Sequence, residues 1–467
     1  MSDPENTSKK YIFKLTVVAA LGGLLFGYDT AVIAGAIGFL QEKFDLSAAL
    51  VGWAASSAIW GCVLGAMVAG YSSDKYGRKK VLLITAVLFA ISAIGSALAL
   101  NLTTFIIARF IGGVGVGAAS MLSPLYISES APAQIRGRLV SIYQLAIVIG
   151  INIIYIVNYF ISISGSSQWN VNYGWRWMLG SEVIPAGIFF LLLFLVPETP
   201  RWLLANGQDD KARDVLLKIN GNKAFEIEKE IKSTLNEERG TFRELFGKKY
   251  RMALIVGVVL ALFSQITGIN AIIYFAPEIF KSIGMGVESA FFQTILIGII
   301  NTLFTFVAIW LIDKSGRRKL LLVGVFGMII CLLGTALCFQ FEFFRGPWLM
   351  IFILGFIASF ASSLGPIPWV LISEIFPTKT RGVAMSFCTL ILWIGVILIT
   401  QLTPLSLEKL GGATTFYIFL GNSVFLLIFT WFFIPETKQR TLEEIEKSWR
   451  SPEKLTAMEV KAAKQNI

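Results

Sequence analysis

The sequence has 467 residues, of which 55% are hydrophobic and 15% are charged. Soluble domains average about 45–50% apolar and about 25% charged residues, so the composition argues against a water-soluble fold. The formal net charge of +10 would fit a nucleic-acid partner, but the basic residues collect in alternate loops between apolar stretches, which argues against DNA binding.

Twelve apolar stretches follow one another, each long enough to cross roughly 30 Å of hydrocarbon as a helix. They lie at residues 11–39, 48–72, 80–100, 103–127, 138–162, 176–196, 251–276, 288–312, 319–340, 347–372, 382–404 and 413–434. No small-residue cleavage site follows the first stretch, so we expect a retained helix and not a signal peptide. The pattern predicts an all-α, multi-pass membrane protein.

The loops that alternate along the chain differ in positive charge. The basic ones carry Lys75, Arg78, Lys79, Lys80, Arg136, Arg138, Lys314, Arg317, Arg318, Lys319, Lys379 and Arg381. Basic loops stay in the cytoplasm, and an even number of spans then puts both termini there too. We expect a plasma membrane location.

The sequence has no histidine, so any proton-handling step falls to a carboxylate. The four cysteines lie within apolar spans at no metal-ligand spacing, and we interpret them as packing residues. We expect no metal site, no cofactor and no enzymatic nucleophile. Gly112 to Gly117 superficially matches a nucleotide fingerprint, but it lies within a span, where small residues allow close helix packing.

The two halves of the chain repeat one another. Three motifs recur in order: Arg78 recurs as Arg317, Glu129 as Glu374 and Glu198 as Glu436, at offsets of 239, 245 and 238 residues. Duplicated halves of this kind are a transporter architecture. The predicted divisions are a six-helix bundle at 1–198, a linker of amphipathic helices at 199–249, a second six-helix bundle at 250–435 and a cytoplasmic tail at 436–467.

The repeated loops pair carboxylates with arginines. We expect charge-assisted bridges there, forming a latch on the cytoplasmic face that favours the outward-open state. Its candidate residues are Asp74, Arg78, Glu129, Arg136, Glu198, Arg201, Asp313, Arg317, Glu374, Arg381 and Glu436. The alternative, in which these residues only fix topology, does not explain Glu129 and Glu374.

The chain resembles the sugar porter family of the major facilitator superfamily over essentially its whole length. The motifs that carry this resemblance are Gly22 to Asp29, Asp74 to Arg78, Pro197 to Arg201, Gln265 to Asn270, Asp313 to Arg318, and Gly365 to Trp369 leading into Ser373 and Glu374. The motifs are similar to those of bacterial proton-coupled xylose and glucose symporters, with the animal facilitative glucose transporters somewhat further off. The resemblance therefore also implies a bacterial inner membrane. The resemblance implies alternating-access transport of a monosaccharide, either a glucose-like hexose or xylose. We expect the protein to be a monomer.

Amides within apolar helices are costly unless they are used, and a sugar needs amides for its hydroxyls and an aromatic ring for its C–H face. Five positions match sugar-contacting positions of the family: Gln144, Gln265, Asn270, Asn301 and Trp369. Four aromatic positions match residues that line or gate its cavity: Phe26, Tyr274, Phe360 and Trp393. Gln265 and Asn270 would be about 140° apart on a continuous helix. Interhelical packing is the alternative role for any one of these amides.

Three positions depart from the family pattern. Ser264 stands where many relatives have a second glutamine, Ile151 where xylose symporters have a glutamine, and Leu392 where relatives have a glutamine or asparagine. Each replacement removes hydrogen-bonding reach worth about 0.5–1.5 kcal/mol. These departures leave the identity of the monosaccharide open, with a lean towards glucose or a related hexose.

Asp29 lies inside the first span, where an ionised carboxylate needs a partner or a proton. Arg109, inside the fourth span, matches the arginine that partners this aspartate in the family's proton symporters. We expect Asp29 and Arg109 to couple sugar to proton movement, with Glu182 as a second candidate that would otherwise pair locally beside Trp175 and Arg176. The alternatives are a structural salt bridge, passive uniport, a drug or organic-acid carrier, and a transporter-like sugar sensor.

Overall fold

The computed structural model describes residues 4–132, 135–235, 242–247, 250–343, 347–376 and 378–438. Over these residues the chain forms helices and no strand. The α-helices are α1 (Pro4–Phe44), α2 (Ala48–Tyr76), α3 (Arg78–Ala97), α4 (Leu102–Ser130), α5 (Arg136–Ile163), α6 (Ser167–Trp169), α7 (Trp175–Gly180), α8 (Val183–Leu193), α9 (Pro200–Ala205), α10 (Asp209–Asn220), α11 (Ala224–Leu235), α12 (Phe242–Leu245), α13 (Arg251–Ile266), α14 (Ile269–Ser282), α15 (Val287–Ser315), α16 (Arg317–Gln340), α17 (Trp348–Ala361), α18 (Ile367–Ile375) and α19 (Thr378–Phe433).

Ten helical segments in the described part of the chain are long and apolar enough to cross a membrane. The last of them, in α19, is two helices joined at Gly411, whose φ is 79° and ψ 167°. The predicted tenth span is formed by α17, which has 14 residues, and by α18, which has nine. When α19 is counted as two spans and α17 with α18 as one further span, the ten segments correspond to the twelve predicted stretches. The prediction of an all-α membrane protein is confirmed.

The seventh predicted span is not one helix. It ends as α13 at Ile266 and restarts as α14 at Ile269, because Gly268 takes a φ of 99° that interrupts the helix. The expected angle of about 140° between Gln265 and Asn270 therefore does not apply, since the two residues lie on different helices.

The residues group by contact into two compact units. The first unit contains residues 1–237, 268–303 and 396–415, and the second contains 238–267, 304–395 and 416–467. Residues 268–303 and 396–415 thus pack with the N-terminal part of the chain. The predicted linker carries the short helices α9 to α12. Most of the predicted C-terminal tail, residues 439–467, lies outside the described residues.

Close helix packing builds the core of the first unit. A Cβ atom at Gly113 of α4 would collide with the carbonyl oxygen of Ala58 in α2, and one at Gly117 would collide with that of Cys62. Small residues let two helix backbones approach this closely in a membrane. The glycine run from Gly112 to Gly117 therefore lies against neighbouring helices, as its position within a span indicates.

Candidate functional site

An ion pair lies buried inside the first unit. The Nη1 atom of Arg109 is 2.6 Å from Oδ1 of Asp29, and Nη2 of Arg109 donates to the backbone carbonyl of Asp29 at 2.8 Å. Asp29 has no exposed surface and Arg109 is 2% exposed. A charge removed this far from water needs a partner of the opposite sign, so α1 and α4 each supply half of the pair. The sequence prediction named both residues.

Glu182 lies in the same buried cluster. Glu182 lies between α7 and α8 and is 1% exposed. Its carboxyl is close enough to Asp29 and Arg109 to interact electrostatically with both. The neighbouring cation, Arg176, instead donates to the carbonyl of Ala97 at 2.7 Å and lies over the ring of Trp175. Glu182 thus faces the ion pair, so that two carboxyls lie near one guanidinium.

The first unit carries five of the nine predicted sugar-binding residues. Asn270, Tyr274 and Asn301 are buried, whereas Gln144 and Phe26 are half-buried. Asn270 and Tyr274 lie on α14, which packs against α1, the helix that carries Asp29. Tyr274 is itself close enough to Asp29 to interact with its charge. Predicted sugar residues and the ion pair are therefore neighbours within this unit.

The second unit carries the other four. Gln265 ends α13, where its Nε2 donates to Oγ of Ser264 at 3.0 Å. Trp393 is buried, Phe360 is half-buried and Trp369 is 39% exposed. The backbone of α19 comes so close that a Cβ at Gly395 would lie 3.1 Å from Cβ of Gln265. Ser264, which replaces a glutamine of the family pattern, thus positions the amide of Gln265.

A charge network joins α3, α4 and the start of α9 in the first unit. Arg78 donates from Nε and Nη2 to the two carboxylate oxygens of Glu129, each at 3.1 Å, and pairs with Asp74 at 3.0 Å. Glu198 accepts hydrogen bonds from the backbone N–H groups of Arg78 and Lys79, each at 3.0 Å, so its negative charge caps the positive end of α3. Burial raises the pKa of the Glu198 carboxyl, and these N–H donors oppose that rise.

The second unit repeats this network. Arg317 donates to Glu374 at 2.9 Å, and Glu436 accepts from the backbone N–H groups of Arg317 and Arg318 at 3.0 and 3.2 Å. Thr199 and Thr437, which follow the capping glutamates, donate their hydroxyls to Glu129 and Glu374. The repeat in the sequence is therefore a repeat of hydrogen bonds, each made within its own unit.

Three of the predicted latch residues lie outside the hydrogen bonds described for the two charge networks. Arg381 donates to the carbonyl of Phe376 at 3.3 Å, Arg136 begins α5, and Arg201 lies half-buried in α9. The side chain of Asp313 lies outside the described residues. Among the described residues there is no cluster of three or more metal-ligating side chains.

Sequence reasoning missed two polar features of the first unit. Tyr155 of α5 donates its hydroxyl to the carbonyl of Ile273 in α14 at 2.7 Å. Ser92 and Ser96 lie fully buried on one face of α3, and Ser92 lies beside Asp29 of the ion pair. Pro277 signalled the first feature, because a proline leaves the carbonyl four residues earlier without its helical donor. The spacing of the two serines within an apolar span signalled the second.

Comparisons with known proteins agree with this architecture. Residues 15–449 match the family described as "Sugar (and other) transporter". The chain is 45% identical over 444 residues to the arabinose-proton symporter of Bacillus subtilis (strain 168), covering 95% of this chain and 96% of that protein. It is 41% identical over 486 residues to the D-xylose-proton symporter of Escherichia coli (strain K12), covering 96% and 98%. A partially occluded inward-open structure of the xylose transporter XylE from E. coli matches with a TM-score of 0.84 and 40% identity, over 93% of this chain and all of that one.

The duplicated twelve-helix architecture and this structural match define a multi-pass membrane transporter of the major facilitator fold. The match covers nearly the whole chain at an identity far above that of chance similarity. This chain belongs to the sugar transporter family, and the resemblance predicted from its motifs is confirmed.

Proposed function

We propose that this protein moves a monosaccharide across the bacterial inner membrane together with a proton, by alternating access. The names of its relatives include an arabinose-proton and a D-xylose-proton symporter. The observation that carries the proton step is the buried ion pair between Asp29 and Arg109, with the Glu182 carboxyl beside it.

The charge count of this cluster favours proton binding. If both carboxylates were ionised, the single guanidinium of Arg109 would leave one negative charge buried away from water. Burying an unbalanced charge costs several kcal/mol, whereas one bound proton makes the cluster neutral. Asp29 and Glu182 thus share a site that binds one proton at low cost, and that can exchange it when water reaches the pair.

The proposed cycle uses this proton to release Arg109. When Asp29 accepts a proton it loses its charge, and its bond to the guanidinium weakens. The sugar-loaded protein then turns inward, since the ion pair no longer favours the opposite state. One proton moving down roughly 150 mV supplies about 3.5 kcal/mol, which is enough for several-hundred-fold accumulation.

For the sugar itself, we propose the nine predicted residues as contacts or gates. The amides would bond to the sugar hydroxyls, and the tryptophans would cover its C–H face. The set is Phe26, Gln144, Gln265, Asn270, Tyr274, Asn301, Phe360, Trp369 and Trp393.

We propose that the repeated charge networks lie on the cytoplasmic side, together with both termini. The basic loops that contain Arg78 and Arg317 support this orientation. In each unit a half-buried glutamate at a helix N-terminus is tied to an arginine–glutamate pair. Such networks would act as the latch that closes the cytoplasmic side and breaks when that side opens.

Uptake into proteoliposomes tests the proposal. The purified protein should accumulate labelled arabinose, xylose or glucose when the outside is acidic, and Asp29→Asn should abolish accumulation while keeping sugar exchange. Asp45→Asn is a matched control, because Asp45 is exposed and its φ of 51° suits asparagine. That control should accumulate sugar like the wild type.

Two outcomes would contradict the proposal. Exchange without accumulation in the wild type would identify a passive uniporter. Gradient-driven accumulation by Asp29→Asn at the wild-type level would remove Asp29 from the coupling step. Competition by unlabelled galactose and by larger drugs separates the classes of cargo.

A further inference from the structure

A group of deeply buried polar side chains in the first unit lacks the hydrogen bonds that such groups need. The hydroxyls of Ser92 and Ser96 and the Nε of Arg109 have no hydrogen-bond partner among the described residues. Within the same described part of the chain, the carboxyl of Glu182 and Oδ2 of Asp29 have no group to bond to except each other. All five residues are at most 2% exposed. Buried polar atoms are almost always paired with protein or with ordered water, so these atoms indicate a shared hydrated site.

The two serines differ from several other serines within the spans of this unit. Ser57, Ser73 and Ser120 each donate to a backbone carbonyl of their own helix, three residues earlier. This internal bond is the usual way for a span to satisfy a hydroxyl. Ser92 and Ser96 do not use it, so their hydroxyls remain available to another group.

The position of Ser92 relative to Asp29 fits one bridging water. A Cβ atom at Gly112 of α4 would collide with Oγ of Ser92 and lie 3.3 Å from Oδ1 of Asp29. The hydroxyl and the carboxylate therefore lie on the same side of Gly112. This placement puts the hydroxyl and the carboxylate within reach of one bridging water molecule, which spans two successive hydrogen bonds of about 2.8 Å each. The Oγ atom of Ser92 occupies the space that a side chain at Gly112 would take, which brings the hydroxyl towards Asp29.

Ser96 extends this polar face towards the end of α3. It lies four residues after Ser92, one turn further along the same face. The next residue, Ala97, ends the helix, and its carbonyl accepts the hydrogen bond from Arg176. Polar groups thus continue from Asp29 to the end of α3 that faces outward in the proposed orientation.

We propose that Ser92 and Ser96 hold water molecules that carry the proton from the outer end of α3 to Asp29 and Glu182. Each water accepts one proton and passes one on, so the serines are unchanged and the proton that leaves the outer solution appears on a carboxylate. The serines are positioning residues, and this role rests on the proposed proton symport.

The other groups around Asp29 do not offer such a route. The titratable and charged groups that face it are Arg109 of α4, Glu182, Cys62 of α2 and Tyr274 of α14. From α5, the backbone of Ile147 and Ile151 packs against α1 at this level, and neither side chain titrates. Among the described residues, Ser92 of α3 is a serine close to Asp29 whose hydroxyl makes no hydrogen bond to its own helix.

The test compares Ser92→Ala and Ser96→Ala with Ser123→Ala in proteoliposomes. Ser123 is an equally buried serine of α4 without a partner among the described residues, but it lies beside Gly22, about 10 Å along α1 from Asp29. We expect Ser92→Ala to slow gradient-driven uptake about ten-fold and to shift its pH profile, because the water loses a partner. Sugar exchange without a gradient should be unchanged, as should both activities of Ser123→Ala.

Infrared spectroscopy gives a readout that needs no sugar. The C=O band of the protonated carboxyls, assigned through Asp29→Asn and Glu182→Gln, should shift in Ser92→Ala and stay in place in Ser123→Ala. Equal behaviour of Ser92→Ala and Ser123→Ala in this titration would overturn the hydrated site. A shifted band in a protein that does not accumulate sugar would instead overturn the proposed symport and leave the hydrated site standing. Loss of exchange and driven uptake together in Ser92→Ala would also overturn the relay.

Discussion

Tyr155 donates a hydrogen bond of 2.7 Å to the carbonyl oxygen of Ile273. That carbonyl lies four residues before Pro277 in α14, and a proline has no backbone N–H to give it. The hydroxyl of a buried tyrosine on α5 thus replaces the donor that α14 lacks. The hydrogen bond fixes α14, with the proposed sugar residues Asn270 and Tyr274, against α5.

Tyr155→Phe should loosen α14 because it leaves the carbonyl of Ile273 without a donor. A buried unpaired carbonyl costs about 1–3 kcal/mol, so the melting temperature of the purified protein should fall by a few degrees. Hydrogen exchange in α14 should also become faster. Adding Pro277→Ala should restore much of the loss, since alanine supplies the missing N–H.

Tyr159→Phe is the control for this prediction. Tyr159 is on the same helix, but its hydroxyl makes only an exposed contact of 3.4 Å with Glu288. This variant should melt like the wild type. A similar loss in both phenylalanine variants, or no recovery with Pro277→Ala, would show that the Ile273 carbonyl is not what Tyr155 stabilises.

The sequence predicted the parts of this molecule that depend on local pattern. Apolar length predicted the spans, and the cost of a buried carboxylate predicted that Asp29 needs a partner. It did not predict the partner of Ile273, because Tyr155 is 118 residues away and only the packing of two helices brings them together. The position of Glu198 at the start of α3 depends on the same kind of distant contact.

The break between Gln265 and Asn270 shows a second limit. The apolar pattern of residues 251–276 continues through Thr267 and Gly268, so periodicity predicts one helix. The glycine permits a φ of 99°. The Nδ2 of Asn422 donates a hydrogen bond to the carbonyl of Ile266 at 2.8 Å. An isolated glycine in a span is compatible with a continuous helix and with a broken one. The hydrogen bond that satisfies the free carbonyl again comes from far along the chain.

Gly77→Ala and Gly316→Ala should each destabilise the charge network of their own unit. The two glycines precede α3 and α16 with φ of 99° and 84°, which costs an alanine roughly 1–2 kcal/mol. The added methyl would also collide with the carboxylate of Glu198 or lie close to that of Glu436. We expect a total loss of about 2–4 kcal/mol in each variant, measured by thermal or denaturant unfolding.

The repeat offers a matched pair of controls. Gly137 and Gly382 occupy corresponding positions in the two halves, near the starts of α5 and α19, with no atom within 4 Å of an added Cβ. Their alanine variants should be neutral, or stabilising by up to about 1 kcal/mol. If Gly77→Ala were as stable as Gly137→Ala, the hydrogen bonds of Glu198 to the start of α3 would not depend on Gly77.

Ser264→Ala should weaken sugar binding by releasing the amide of Gln265. The hydroxyl of Ser264 accepts a hydrogen bond from Nε2 of Gln265 at 3.0 Å and donates to the carbonyl of Ala261 at 2.9 Å, so it holds the amide relative to α13. Losing one such bond costs about 0.5–1.5 kcal/mol, which corresponds to a rise in KM of about two- to ten-fold. The maximal rate should change little, because the amide binds sugar equally in the ground state and the transition state.

Ser423→Ala is the control, since Ser423 is also buried and donates to its own helix, at the carbonyl of Phe419. An unchanged KM in Ser264→Ala, or an equal rise in Ser423→Ala, would show that Ser264 does not position Gln265 for sugar.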